Sequence, residues 1–190
     1  LLFVSTAASA QLYLFAGAGG GTLRLKSDDL VTAGLDTFVS RREDNKDVTY
    51  QLGVGWRFNP YWAVEIAGAD MGDYSIDIED IATNRLVATH EVKGFKTAVL
   101  GIWPLTERFS AFAKLGIAST KATVSGTLNG TPFSANEKRN SPLAGFGVQW
   151  MFWKNIGVRA EYENWGEVGN ETDTGRGKLD TLNLQAVFSF

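Results

Sequence analysis

The chain has 190 residues, with 18 basic and 21 acidic side chains, one histidine and no cysteine. A net charge of −3 argues against a basic nucleic-acid-binding face. The absence of cysteine excludes disulfides and thiolate chemistry, and a single histidine excludes a multi-histidine metal site within one chain, so neither a metal nor a cofactor is expected.

No apolar run reaches the ~18–20 residues that a membrane helix needs. Membrane β-strands spread their apolarity over alternate positions, and that class stays open. Leu1-Leu2-Phe3-Val4 followed by Ala8-Ser9-Ala10 reads as the tail of a secretory signal with a small-x-small cleavage site. Residues 1–10 are therefore expected to be a signal-peptide remnant, and residues 11–190 the folded domain.

Period-two alternation then recurs along the chain. After a first strand from Gln11, Tyr50, Leu52, Val54, Trp56 and Phe58 oppose Gln51, Gly53, Gly55 and Arg57. Asn59-Pro60 predicts a tight turn, because proline fixes its φ and cannot continue the ladder. The return strand sets Trp62, Val64 and Ile66 against Ala63, Glu65 and Ala67. A strand over residues 91–103 carries Lys96, which is expected to point inward because a charge facing lipid at mid-depth costs ~2–4 kcal/mol. Further on, Leu115 and Ile117 oppose Lys114 and Gly116; Phe146, Val148 and Trp150 oppose Gly147 and Gln149; Ile156, Val158 and Ala160 oppose Arg159, Glu161 and Glu163. The last segment alternates Leu182, Leu184, Ala186, Phe188 and Phe190 with Asn183, Gln185, Val187 and Ser189.

About eight strands result. Short connections at 59–60, 104–108 and 153–155 alternate with long polar ones near 26–47, 71–90, 122–141 and 166–178. That is the pattern of an all-β, eight-stranded, antiparallel up-and-down transmembrane β-barrel, with turns in the periplasm and loops outside. Trp56, Trp62, Trp103, Trp150 and Trp153 all fall within a few residues of a short turn, which predicts an aromatic girdle at one membrane interface. In hydrocarbon every backbone polar group must be paired, so the sheet is expected to close. Eight strands leave a lumen that side chains can fill. Its expected charge cluster is Arg57, Glu65, Lys114, Gln149, Arg159, Glu161 and Glu163, with Glu65–Arg159 and Glu161 with Lys114 or Arg57 as candidate pairs, because desolvated charges need partners.

Asn59-Pro60-Tyr61-Trp62-Ala63-Val64-Glu65, Phe146-Gly147-Val148-Gln149-Trp150 and Asn155-Ile156-Gly157-Val158-Arg159-Ala160-Glu161-Tyr162 resemble the OmpA-like family of eight-stranded outer-membrane barrels. The resemblance spans most of residues 11–190. It implies a lumenal salt-bridge cluster proposed to gate small solutes, matched here by Glu65, Arg159 and Glu161. The family has Glu where this chain has Gln149, and its lumenal Lys falls near Val99, with Lys96 as a shifted substitute. The C-terminal aromatics Phe188 and Phe190 resemble the signal read by the barrel-assembly machinery. The family's peptidoglycan-binding domain is not among these residues, and wall anchoring is not expected of them.

Other chemistry is weaker. Glu161 and Glu163 share a strand face roughly 7 Å apart, a spacing open to glycoside hydrolysis but better read as lumenal pairing. His90 beside Glu91 suggests lipid A modification, yet no nucleophile set accompanies it. Gly17-Ala18-Gly19-Gly20-Gly21-Thr22 lacks the Gly-Lys-Ser/Thr of a phosphate loop. Arg41-Arg42, in the first long connection, could meet lipopolysaccharide phosphates. No enzyme is expected. The leading expectation is a structural integral protein of the bacterial outer membrane, contributing envelope integrity and surface contacts. The alternative is a narrow pore or hydrophobic-solute conduit gated by lumenal charge. Expected partners are outer-membrane lipid and lipopolysaccharide, the assembly machinery during biogenesis, and host or phage ligands at the loops.

Overall fold

The structure, a computed structural model, describes residues 10–25, 38–44, 46–80, 85–128, 130–168 and 177–190; for 23–25, 38–44, 46, 76–80, 85, 86, 90, 128 and 168 it describes the backbone alone. Nearly all of it is strand: β1 (Gln11–Leu25), β2 (Phe38–Asp44), β3 (Lys46–Asn59), β4 (Trp62–Asp80), β5 (Arg85–Pro104), β6 (Phe109–Leu128), β7 (Thr131–Met151), β8 (Ile156–Val168) and β9 (Gly177–Ser189). Neighbouring strands are antiparallel, and the ring runs β1-β3-β4-β5-β6-β7-β8-β9 and back to β1. That is eight staves. β2 continues the second stave upward and pairs only with the far half of β4. Residues 1–9 of the expected signal remnant lie outside the described residues.

Alternation sorts the side chains as the pleat demands. On β9, Leu182, Leu184 and Phe188 face outward, while Thr181, Asn183, Gln185 and Val187 are buried. Leu115 on β6 is 69% exposed and Phe146 on β7 is 62%, whereas Lys96 and Glu163 are 0% exposed. Such an apolar outer wall around a charged interior inverts a water-soluble protein. It is stable where hydrocarbon covers the outside and the closed ladder satisfies the backbone.

The short turns are tight. Asn59 Oδ1 accepts the Tyr61 N–H at 2.8 Å. Thr106 Oγ1 accepts the Phe109 N–H at 2.9 Å, and Trp153 N–H reaches Ile156 O at 3.1 Å. At the opposite end two of the expected long loops, near 71–90 and 122–141, are mostly hairpin extensions. β4 reaches Asp80 and β5 starts at Arg85; β6 and β7 are paired up to Leu128 and Thr131. These stretches stand above the apolar band: their outer face is largely polar, and their inner face buries only scattered or small apolar residues such as Tyr74, Ala88, Ala122 and Val124, so the hydrophobic period is too weak to mark them as strand. Arg41 and Arg42 likewise sit on β2, opposite Ile78 and Asp77, rather than in a loop; their side chains lie outside the described part. The glycine run 17–21 is strand, paired on both sides.

Two bulges bend the wall near the hairpins. Pairing slips between Asp70 and Asp73, where Gly72 has φ 79°, and between Asn164 and Glu167, where Gly166 has φ 72°. A positive φ is costly for other residues and marks such a bulge. Asp47 fastens the first by accepting the Asp73 N–H at 2.6 Å.

Candidate functional site

The lumen is filled from its hairpin end down to a cavity at its short-turn mouth. Trp165, Tyr74 and Met71 occupy its hairpin end, and Tyr13, Phe15 and Phe112 its turn end. Glycines make room for the rings: Tyr13 and Phe15 on β1 lie over Gly55 and Gly53, their partners on β3. A Cβ at Gly55 would stand 2.1 Å from the Tyr13 ring.

Between these layers three carboxylates and three cations are buried together. Arg159 on β8 meets Glu65 on β4 at 2.5 Å, with its Nε and Nη2 donating to Gln149 Oε1 at 3.1 and 2.9 Å. Lys114 on β6 is the hub, 3.0 Å from Glu65, 2.6 Å from Glu161 and 3.2 Å from Glu163. Lys96 on β5 pairs with Glu163 and lies 3.4 Å from Glu161. Neutral groups finish the network. Tyr13 Oη donates to Glu65 at 2.7 Å, Gln51 donates to Glu163 at 2.9 Å while accepting from Lys96 at 2.7 Å, and Gln185 donates to Glu161 at 3.2 Å. Arg159 also lies 4.8 Å from the Phe112 ring and Lys96 5.2 Å from Trp165, where a desolvated cation gains from the ring face. Charge is thus balanced within the plug, and each ion touches an opposite one, as burial requires.

The structure therefore brings together Glu65, Lys114, Gln149, Arg159, Glu161 and Glu163. Arg57 stands apart. It faces the lumen one level nearer the turns and reaches neither Glu161 nor any other carboxylate among the described residues within ion-pair distance. Lys96, expected to be inward, is a full member of the network. Gln51, Gln185 and Trp165 were not singled out from the sequence, although each shares the odd-numbered phase of inward neighbours on its strand. Trp56, Trp62, Trp103, Trp150 and Trp153 are all exposed on the outer side of the turn end. Phe188 and Phe190 face outward and stack edge to face, centroids 5.1 Å apart. Glu161 and Glu163 are tied to lysines, which leaves neither free for acid/base work. The His90 side chain lies outside the described part.

Fold and lumen together define an integral β-barrel of the bacterial outer membrane. The OmpA-like transmembrane domain matches residues 7–190, and the chain belongs to that family. Among solved structures, it is similar to Neisserial surface protein A at 11% identity and TM-score 0.63, covering 96% of this chain and 99% of that one. It is also similar to Ail, the attachment invasion locus protein of Yersinia pestis, solved with the heparin analogue sucrose octasulfate, at 17% identity and TM-score 0.58, with 96% and 99% covered. OprG of Pseudomonas aeruginosa follows at 12% identity and TM-score 0.58, with 94% and 95% covered. At these identities the likeness is one of fold. No curated protein matches the sequence.

Proposed function

We propose that this protein is a structural, non-enzymatic barrel of the outer membrane, closed to solutes, that stiffens the envelope and presents its long hairpins outside. One observation carries the reading: the lumenal charges are balanced and mutually bonded, with bulky rings above and below them, so no continuous aqueous path is provided. A narrow pore would need at least one charge free to swing. Purified protein in planar bilayers is expected to show no current steps above the lipid background. Reproducible steps that an Arg159→Ala change enlarges would overturn this reading in favour of the gated pore.

The outer wall supports a partner. Lys93, Lys121 and Lys138 are successive ladder neighbours on β5, β6 and β7, and all three face outward. Lys93 is paired with Glu91; Lys121 and Lys138 face each other with no such partner among the described residues. Directly opposed like charges are unfavourable on a sheet, so the row is suited to an external anion. On β5 it lies ten residues above Trp103, about 25 Å along the axis at ordinary strand rise and tilt, which is the height of the apolar band of such barrels. The row therefore meets the outer headgroups, where lipopolysaccharide phosphates lie, while the tryptophans mark the inner interface. Changing all three lysines to glutamine should weaken retention of lipopolysaccharide by refolded protein several-fold on native gels. Unchanged retention would remove these lysines from lipid recognition. The paired Phe188 and Phe190 serve, in this reading, as the signal to the assembly machinery, and the hairpin tips as the surface open to host or phage ligands.

A further inference from the structure

Below the charged plug, at the short-turn end, the lumen opens into a cavity of about 500 Å³. Its walls are mixed. Tyr13, Ile102 and Met151 supply apolar surface, and Arg57 faces the space from β3. Arg108 and Lys154, from two different turns, stand at the mouth, where Glu107 is the one lining carboxylate.

The charges are not balanced as they are in the plug. Arg159, at the inner end, is already neutralised by Glu65. Arg57 makes no hydrogen bond or ion pair with any described residue. Three cations thus face one carboxylate, in a chain whose net charge is −3. A guanidinium offers two parallel donors that match a carboxylate. A cavity of this size, within the roughly 300–1,000 Å³ of ordinary small-molecule sites, that sets apolar wall beside a few placed charges suits a ligand with both an apolar body and an anionic end.

We propose that this vestibule binds a small organic anion with an apolar body, a short aliphatic carboxylate, entering from the periplasmic side. Arg57 holds the carboxylate, Arg108 and Lys154 attract it to the mouth, and the tail lies against Ile102 and Met151. The site ends below the plug and is independent of whether the lumen conducts.

The chain has two methionines, which makes the test direct. Met151 lines the vestibule, whereas Met71 is sealed in the hairpin-end plug. With ¹³C-methyl methionine in nonionic maltoside micelles, hexanoate should shift the Met151 methyl saturably and leave Met71 in place. Neutral hexanol should not reproduce the shift. Arg57→Gln should raise the apparent Kd roughly tenfold or more, the loss of one charged anchor, and Arg57→Lys should raise it less. Arg108→Gln, in a turn outside the barrel wall, gives a second variant that does not depend on Arg57 for folding, and should weaken binding about two- to threefold. A heat-modifiable gel band checks that each variant is folded. A Met151 signal that stays still, or moves equally with hexanol or in folded R57Q, would overturn the site. Inorganic phosphate binding as tightly as hexanoate would overturn the ligand class, because it would leave the apolar wall without a role.

Discussion

Replacing Lys114 by methionine should destabilise the barrel by about 3–5 kcal/mol, the usual cost of removing one partner from a buried, hydrogen-bonded ion cluster. Lys114 touches Glu65, Glu161 and Glu163. Without it, three carboxylates share Arg159 and Lys96, and the nearest remaining cations to Glu161 lie at 3.4 and 3.8 Å. Denaturant unfolding from lipid vesicles measures the loss. Adding Glu161→Gln to the methionine variant restores the balance of charge and should recover at least ~1 kcal/mol, a coupling that a double-mutant cycle resolves. A loss below about 1 kcal/mol for the single change is the scale of water-exposed pairs. It would mean that water already solvates these ions and that the plug is wet.

Trp165→Ala is the second large effect. Trp165 is fully buried at the hairpin end, its Nε1–H 3.3 Å from Thr181 Oγ1 and its ring centroid 5.2 Å from Lys96 Nζ. Its ring also fills the space beside Gly94 and Met71. Truncating a buried tryptophan costs about 3–5 kcal/mol, because neighbours collapse only partly into the void. The barrel should unfold at clearly lower denaturant, yet conductance should stay at background, since the Arg159–Glu65 and Lys114 pairs lie further down the same lumen. Current steps in this variant would show that the aromatic layer, and not the ion cluster, closes the barrel.

The sequence carried the faces of the strands and little of what crosses the lumen. Leu182 to Phe190 announces which side of β9 is greasy, because a two-residue period allows only two faces and lipid accepts only one of them. The same parity places Glu161, Glu163 and Trp165 inside. Which charges meet is another matter. The expected pairs Glu65–Arg159 and Glu161–Lys114 do form, but the place of Lys114 as a hub touching Glu163 as well, and the contact of Lys96 with the same carboxylates, are set by strand stagger and barrel radius, quantities that no local pattern encodes. Arg57 shows the difference: its parity gives the right face, but its level, nearer the turns, separates it from Glu161. The hairpin extensions were illegible for a different reason. Around Lys121–Thr127 the outer face is polar and the inner one buries only Ala122 and Val124, so the pairing that orders them leaves a faint hydrophobic signature.

The seam between β1 and β9 has a consequence for biogenesis. Tyr13 pairs with Ser189 and Leu25 with Gly177, so the first stave finds its second neighbour only in the last. Pairings between the ends of a chain are slow to form, because a very long loop must close before any contact rewards it. Until then β1 and β8 each expose a row of unpaired backbone groups that hydrocarbon does not tolerate. The cations and carboxylates contributed by β4, β5, β6 and β8 also face one another only once the ring is shut. Half-closed intermediates are therefore penalised twice, by open edges and by lone charges. Arrival of the last strand becomes a single late commitment step, after which release into the bilayer is close to irreversible.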